Sequence, residues 1–539
     1  VPDVVVVLTH SDGMSVENEE RAARTARAVR AALVARWPGR VPGRGRYRGR
    51  GGGVVGAVVG CFVLGGVLMV VPPDGGARGG PGETRVAGAA GPGREGRRAA
   101  AVRGTGVSAV VSAGVPAALP DVVATVRERK ARVRARPRDH VSWAVLGVAY
   151  VERARRTGDV TDCSRAERAL RTSLRLRPSG NADALEGLTA LAVARRDFRA
   201  AEHWGEEAVR VAPGRWTSYA LLIDAYDGLG RYKAARATLG RMLAVDSGPA
   251  ARARAARVHW DQGAREDAAA ALSDAAATET SATGPSAAGA AWWVRAGELA
   301  WERGEAEQSL RYCEAGGSAV AGGEPEAGPC RARALVALGR TTEGVRAYRV
   351  ALSRRPSAEV ALRLGEVYES LGRAKEAREQ YRVARALVAR SAAAGVNESL
   401  VLGALEADHG DPAEAVRVLR AEWERQPGLR VADALGWALH RAGEDQEALG
   451  FARRATDRAR GGEVRSAAYA YHRGVIERAV GLEAAGRRHL EEARRLNPYF
   501  AAGVGVGEWV MRVRGWGVWG ALAGAGEVSG GRSRSSPRP

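Results

Sequence analysis

A small side chain returns along two-thirds of this chain at a near-constant interval. It falls at Ala166, Ala201, Ala235, Ala268, Ser309, Gly344, Ala377, Ala415, Ala448 and Gly486, with spacings of 35, 34, 33, 41, 35, 33, 38, 33 and 38 residues. Such a period has room for two helices and a turn but not for a domain with its own core. One hairpin of that size cannot bury its apolar face alone, whereas stacked copies form a continuous core. The other recurring residues fit the same unit. Gly147, Gly365, Gly403, Gly436 and Gly474 sit in the first helix, where a small residue admits the second helix closely. Gly230, Gly339, Gly372, Gly410, Gly443 and Gly481 fall between the helices, where positive φ closes a helix. Pro178, Pro213, Pro356, Pro427 and Pro498 stop the second helix.

The residues at these places carry a family resemblance. Leu364-Gly365-x-x-Tyr368 is followed by Gly372, Ala377 and Tyr381-x-x-Ala384. Trp143-x-x-Leu146-Gly147-x-x-Tyr150, Tyr219-x-x-Leu222 with Tyr226, and Leu435-Gly436 with Leu439 repeat parts of it. This pattern resembles the tetratricopeptide repeat (TPR), a helix-turn-helix unit of about 34 residues. The resemblance implies an all-α, right-handed superhelical solenoid of about ten repeats over residues 121–500, whose first helices line a concave groove for peptides or partner helices. Three departures stand out. About seven residues are inserted around 157–164, the fourth unit lacks the Leu-Gly signature, and the stretch 316–328 is a candidate break into blocks of 137–280 and 325–500.

Outside the repeats the character changes. Residues 54–71, VVGAVVGCFVLGGVLMVV, form an uncharged apolar run. As a helix it reaches about 27 Å, enough to cross a membrane core. Arg36, Arg40, Arg44, Arg46, Arg48 and Arg50 precede it without an acid among them. The positive-inside rule then places the N-terminus in the cytoplasm and the repeats outside, as a single-pass protein of the cell membrane with an uncleaved signal-anchor. The alternatives are a buried core helix, or an upstream stretch outside the translated chain, which would make the repeats cytoplasmic. Residues 1–53 read as a basic segment without order, residues 72–120 as a Gly/Pro/Arg-rich linker, and residues 501–539 as a disordered Gly/Trp-rich tail.

The net charge of +21 invites a nucleic-acid reading, but its distribution argues against one. Residues 1–53, 54–136 and 507–539 carry +5, +7 and +3, which leaves +6 for residues 137–506. Lys130, Lys233 and Lys375 are the only lysines among 82 basic residues, a bias like that of proteins from GC-rich bacterial genomes. No basic stripe interleaved with stacking aromatics accompanies it.

Catalytic and metal patterns are not found. Four scattered cysteines suit neither a disulfide framework nor a zinc ribbon. No GxxxxGK[ST], GxSxG or HExxH occurs. The expectation is a non-catalytic scaffold without cofactor or metal, holding protein or peptide partners. Placing the first helices on the sequence puts Asp224, Asp227, Glu366, Glu369, Asp433, Trp437, His440, Tyr471 and Arg478 toward the groove. The two acidic pairs and the aromatic cluster suit a basic or aromatic segment. A solvated helix face is the competing reading of the same side chains.

Overall fold

The computed structural model describes residues 117–319, 323–458 and 463–500. The expected basic segment, membrane helix, linker up to residue 116 and C-terminal tail lie outside the described residues. Among those described, no helix is long and apolar enough to cross a membrane.

The described residues form helices and no strand. A leading helix, α1 (Leu119–Ala135), is followed by ten hairpins. They are α2 (His140–Thr157) with α3 (Thr161–Leu176), α4 (Ala182–Ala194) with α5 (Phe198–Val211), α6 (Trp216–Gly228) with α7 (Tyr232–Val245), and α8 (Pro249–Asp261) with α9 (Arg265–Thr283). Then come α10 (Ala287–Glu302) with α11 (Ala306–Ser318), α12 (Ala327–Ala337) with α13 (Thr341–Arg354), and α14 (Ala358–Ser370) with α15 (Ala374–Ala393). The last are α16 (Ser399–His409) with α17 (Pro412–Arg425), α18 (Leu429–Arg441) with α19 (Asp445–Thr456), and α20 (Ala467–Ala479) with α21 (Glu483–Leu496).

Each recurring small residue lies in the first turns of a second helix and is buried there, from Ala166 in α3 to Gly486 in α21. Several first helices are capped by a short polar side chain: Asp139, Asn181, Ser286, Ser357 and Ser466 each accept a backbone N–H of the first turn. The inter-helix glycines take positive φ at Gly230, Gly339, Gly372, Gly443 and Gly481. Gly410 does not. Its φ is −150°, and the extended residue after it, Asp411, caps α17.

The three departures are absorbed rather than disruptive. The insertion around 157–164 lengthens α2 and α3, so that they face each other further along. The fourth unit, without its signature, still forms the hairpin α8–α9. Within 316–328, described here without residues 320–322, the two flanking helices are linked covalently. α11 continues through Gly316 and Gly317 to Ser318, and Cys313 pairs with Cys330 of α12 in a disulfide with Cα atoms 5.7 Å apart. The sulfurs lie over Gly297 of α10, where an added Cβ would come within 2.8 Å of the Cys313 sulfur. The cysteine count alone had argued against such a pair.

The solenoid winds tightly enough for successive superhelical turns to touch. The end of the first hairpin's inner helix meets the link between the sixth and seventh, where Arg355 donates to the Arg155 carbonyl at 3.3 Å. The second hairpin turn meets the seventh–eighth link: Asn397 N–H donates to the Arg195 carbonyl at 2.9 Å, and Arg196 reaches Glu398 at 2.6 Å. Next, the Leu429 N–H donates to the Tyr232 hydroxyl at 3.1 Å. Gly263 then lies against Glu463. Lastly, Asn497 donates to the Trp301 carbonyl at 2.8 Å. The same joint recurs five repeats on each time, so one superhelical turn takes between five and six repeats.

Candidate functional site

Tight winding turns the concave groove into a narrow bore, and the bore is lined by charge. In the nine hairpins without the insertion, a first-helix residue packs twelve positions before the second-helix small residue, as Gly365 does before Ala377. One residue further on, repeats three to seven carry Asp224, Arg257, Glu298, Arg333 and Glu366. The sign alternates from one repeat to the next. Neighbouring first helices lie side by side, so the alternation puts opposite charges together down the inner face.

Asp224 and Asp227, expected to face an open groove, are both buried. Arg254 bonds to Asp224, and Arg257 sits 3.3 Å from Asp227 and 2.7 Å from Asp261. Burial raises the pKa of Asp224 against the pull of Arg254. It raises Asp227 well above the usual carboxylate range, reinforced by the charges of Asp261 and Asp224. Burial also pushes Glu298 up to about 8, despite Arg295 and Arg333. Glu366 is buried as well, 2.9 Å from Arg363. Three of the four acids in the expected pairs are therefore spent on internal arginines. Glu369 alone is exposed.

The inner face changes character over the last repeats, where the same position holds Ala404, Trp437 and Val475. Here the structure gathers Asp433, Trp437, His440 and Tyr471. The Trp437 indole stacks on His472 with centroids 4.4 Å apart, and lies 5.2 Å from His440 and 6.3 Å from Tyr471. Its N–H donates to Asp408 at 3.1 Å. Asp433 lies 3.0 Å from His472 Nδ1, and Asp445 lies 2.5 Å from His440 Nδ1. A third imidazole completes the row. His409 stacks on Tyr381 at 4.2 Å, and its Nδ1 lies 3.1 Å from Glu369, which also accepts from the Tyr381 hydroxyl at 2.7 Å. Burial opposes a charge on His409, but its contact with Glu366 and the charges of Glu369 and Asp408 prevail and raise its pKa. Arg478 stands apart, exposed and paired with Glu483 at the hairpin turn.

Residues 358–384, the seventh hairpin from its first residue to Ala384, match the family model for the tetratricopeptide repeat. All ten hairpins share its layout. The seventh hairpin is thus a tetratricopeptide repeat in sequence as well as in fold. No curated protein sequence matches it. Its solved likenesses include the human IFIT1 dimer with m7Gppp-AAAA, at 15% identity and a TM-score of 0.41 over 59% of this chain and 72% of that one. They also include the APC/C hetero-tetramer Cut9-Hcn1, at 12% identity and 0.34 over 68% and 76%. A third is a tetratricopeptide repeat protein from Parabacteroides merdae ATCC 43184, at 17% identity and 0.28 over 48% and 96%.

Reading this chain one repeat at a time misses Asp408, His409 and His472, which belong to the cluster, and the arginines paired with the inner-face acids. Aligning the residue after the inner packing position across repeats would have shown the alternating charges.

Proposed function

We propose that this TPR protein is a non-catalytic scaffold that takes up a peptide or helical segment of a partner protein on the concave face of its last four repeats. One observation carries the reading: the acids at the middle of the inner face are buried and paired with internal arginines, whereas Glu369, His440 and Tyr471 keep accessible polar and aromatic edges beside a buried indole. Such a surface suits a basic or aromatic side chain, with the indole and phenol supplying apolar contact and the carboxylates the charge. Residues 54–71 would tether the scaffold to the membrane, N-terminus inward and repeats outside. The Cys313–Cys330 disulfide supports that side, since such bonds persist in oxidising compartments. The alternative is a cytoplasmic regulatory scaffold or ligand sensor.

A photo-crosslinking residue at Tyr471 tests the site, with one at the exposed Arg378 of α15 as the control. The expected result is a partner adduct from position 471 that Trp437→Ala abolishes. Equal adducts from both positions would refute the assignment. Protease accessibility of the repeats in intact protoplasts tests the side: digestion without lysis is expected, and protection until lysis would favour the cytoplasmic alternative.

A further inference from the structure

A large cleft lies outside the bore, where the described ends of the link between the fifth and sixth hairpins meet the start of α1. Its volume is about 690 Å³. One wall is a single stripe of α13, running from Glu343 through Arg346, Ala347, Val350 and Ala351 to Arg354. Those positions are spaced i, i+3, i+4, i+7, i+8 and i+11, the repeat of one helix face. The opposite wall includes Leu119 of α1. At one end the walls are tied together, where Arg155 and Arg156 of α2 reach Glu324 at 3.1 and 2.8 Å. Between α13 and Leu119 the cleft stays open.

Two properties distinguish the cleft. Its floor exposes aliphatic surface that has not been covered by the fold, with Val350 at 42% and Leu119 at 37% of their free exposure. Its charge is also uncompensated. Of the acids that line it, Glu324 is held by Arg155 and Arg156, Glu314 by Arg331, and Glu343 by Arg340. Arg346 and Arg354 are exposed and have no ion-pair partner among the described residues. Eight residues of helix separate them, about 12 Å along the axis. The aliphatic patch of Val350 lies between.

We infer that this cleft is a second partner-binding site, separate from the concave face, and that it takes an acidic amphipathic segment: an aliphatic side chain seated on Val350 and Leu119, flanked by carboxylates that meet Arg346 and Arg354. Among the described residues neither guanidinium is committed elsewhere, so pairing with carboxylates breaks no bond described in the fold. The aliphatic floor supplies the contact that a purely ionic surface would lack, and it selects against plain polyanions.

The test uses the full chain and a fluorescein-labelled peptide, Glu-Glu-Leu-Leu-Glu-Glu-Leu-Leu-Glu-Glu, followed by anisotropy at physiological salt. An all-Glu peptide of equal length and a version with Lys in place of Glu serve as comparisons. Saturable binding of the Glu/Leu peptide is expected. It should weaken at least tenfold in Arg346→Glu/Arg354→Glu, and comparably in Val350→Asp, while Trp437→Ala leaves it unchanged. These α13 positions are solvent-facing, so the helical circular dichroism should not change. Absence of saturable binding would overturn the inference. So would equal binding of the all-Glu peptide, which marks general attraction to a basic protein, or binding indifferent to the α13 variants. A loss caused only by Trp437→Ala would assign the peptide to the concave face instead.

Discussion

Gly365→Ala is a sharp probe of the packing, because the structure sets two opposed terms against each other. A methyl group there would come within 2.4 Å of Cε1 and 2.7 Å of Cδ1 of Tyr381. That ring has little freedom to retreat: it is buried, its hydroxyl is held by Glu369, and its face is stacked on His409. Overpacking of this kind costs about 1–3 kcal/mol. Alanine in place of glycine within a helix returns about 1 kcal/mol. The net expectation is destabilisation by up to about 2 kcal/mol. Gly450, in α19, has nothing within 4 Å of an added Cβ and is exposed. Gly450→Ala should therefore stabilise by about 0.5–1 kcal/mol. Urea denaturation of both variants, followed by circular dichroism, should shift the midpoint in opposite directions. A shift in the same direction for both would mean that the first and second helices are not packed as described.

Three further outcomes are expected. Arg196→Met leaves Glu398 buried without its partner and should destabilise by about 3–5 kcal/mol; solution scattering should show a larger radius of gyration, and an unchanged radius would detach this ion pair from the winding. His409 has a folded pKa above its unfolded value, so the stability it contributes is fully present below about pH 6.5 and is lost as pH rises through the folded value. The urea midpoint should fall over that rise in the parent and not in His409→Gln; matching profiles would refute the pairing with Glu366 and Glu369. Reducing Cys313–Cys330, which closes a loop of sequence separation 17, should cost about 3 kcal/mol, and a denaturation midpoint indifferent to reductant would show the bridge to be absent.

The hairpins were legible in the sequence because each depends on local constraints: a small residue where helices cross, a glycine at the turn, a proline after the second helix. Ala166, Ala377 and Gly486 mark their helices correctly for that reason. Whether the groove is open was not legible from those residues. The closure arises from the sum of small rotations between repeats, which brings Arg196 to Glu398 and Gly263 to Glu463 across some 200 residues. No single repeat encodes such a contact. Face assignment on one helix could not show that Asp224 and Glu366 are already engaged by Arg254 and Arg363. Gly316-Gly317 misled in the opposite sense, since small residues that loosen an isolated helix also let α11 lie close against Val294 of α10.

The central claim is that the solenoid is wound until its turns touch. Spin labels at Arg199→Cys and Glu424→Cys test it most directly, for both positions are exposed and the Arg199 guanidinium donates to the Glu424 carbonyl at 2.8 Å although 225 residues separate them. Double electron–electron resonance should return one short, narrow distance distribution. A long or broad distribution would contradict the closed winding, and with it the burial of the inner-face acids and the restriction of concave-face binding to the last repeats.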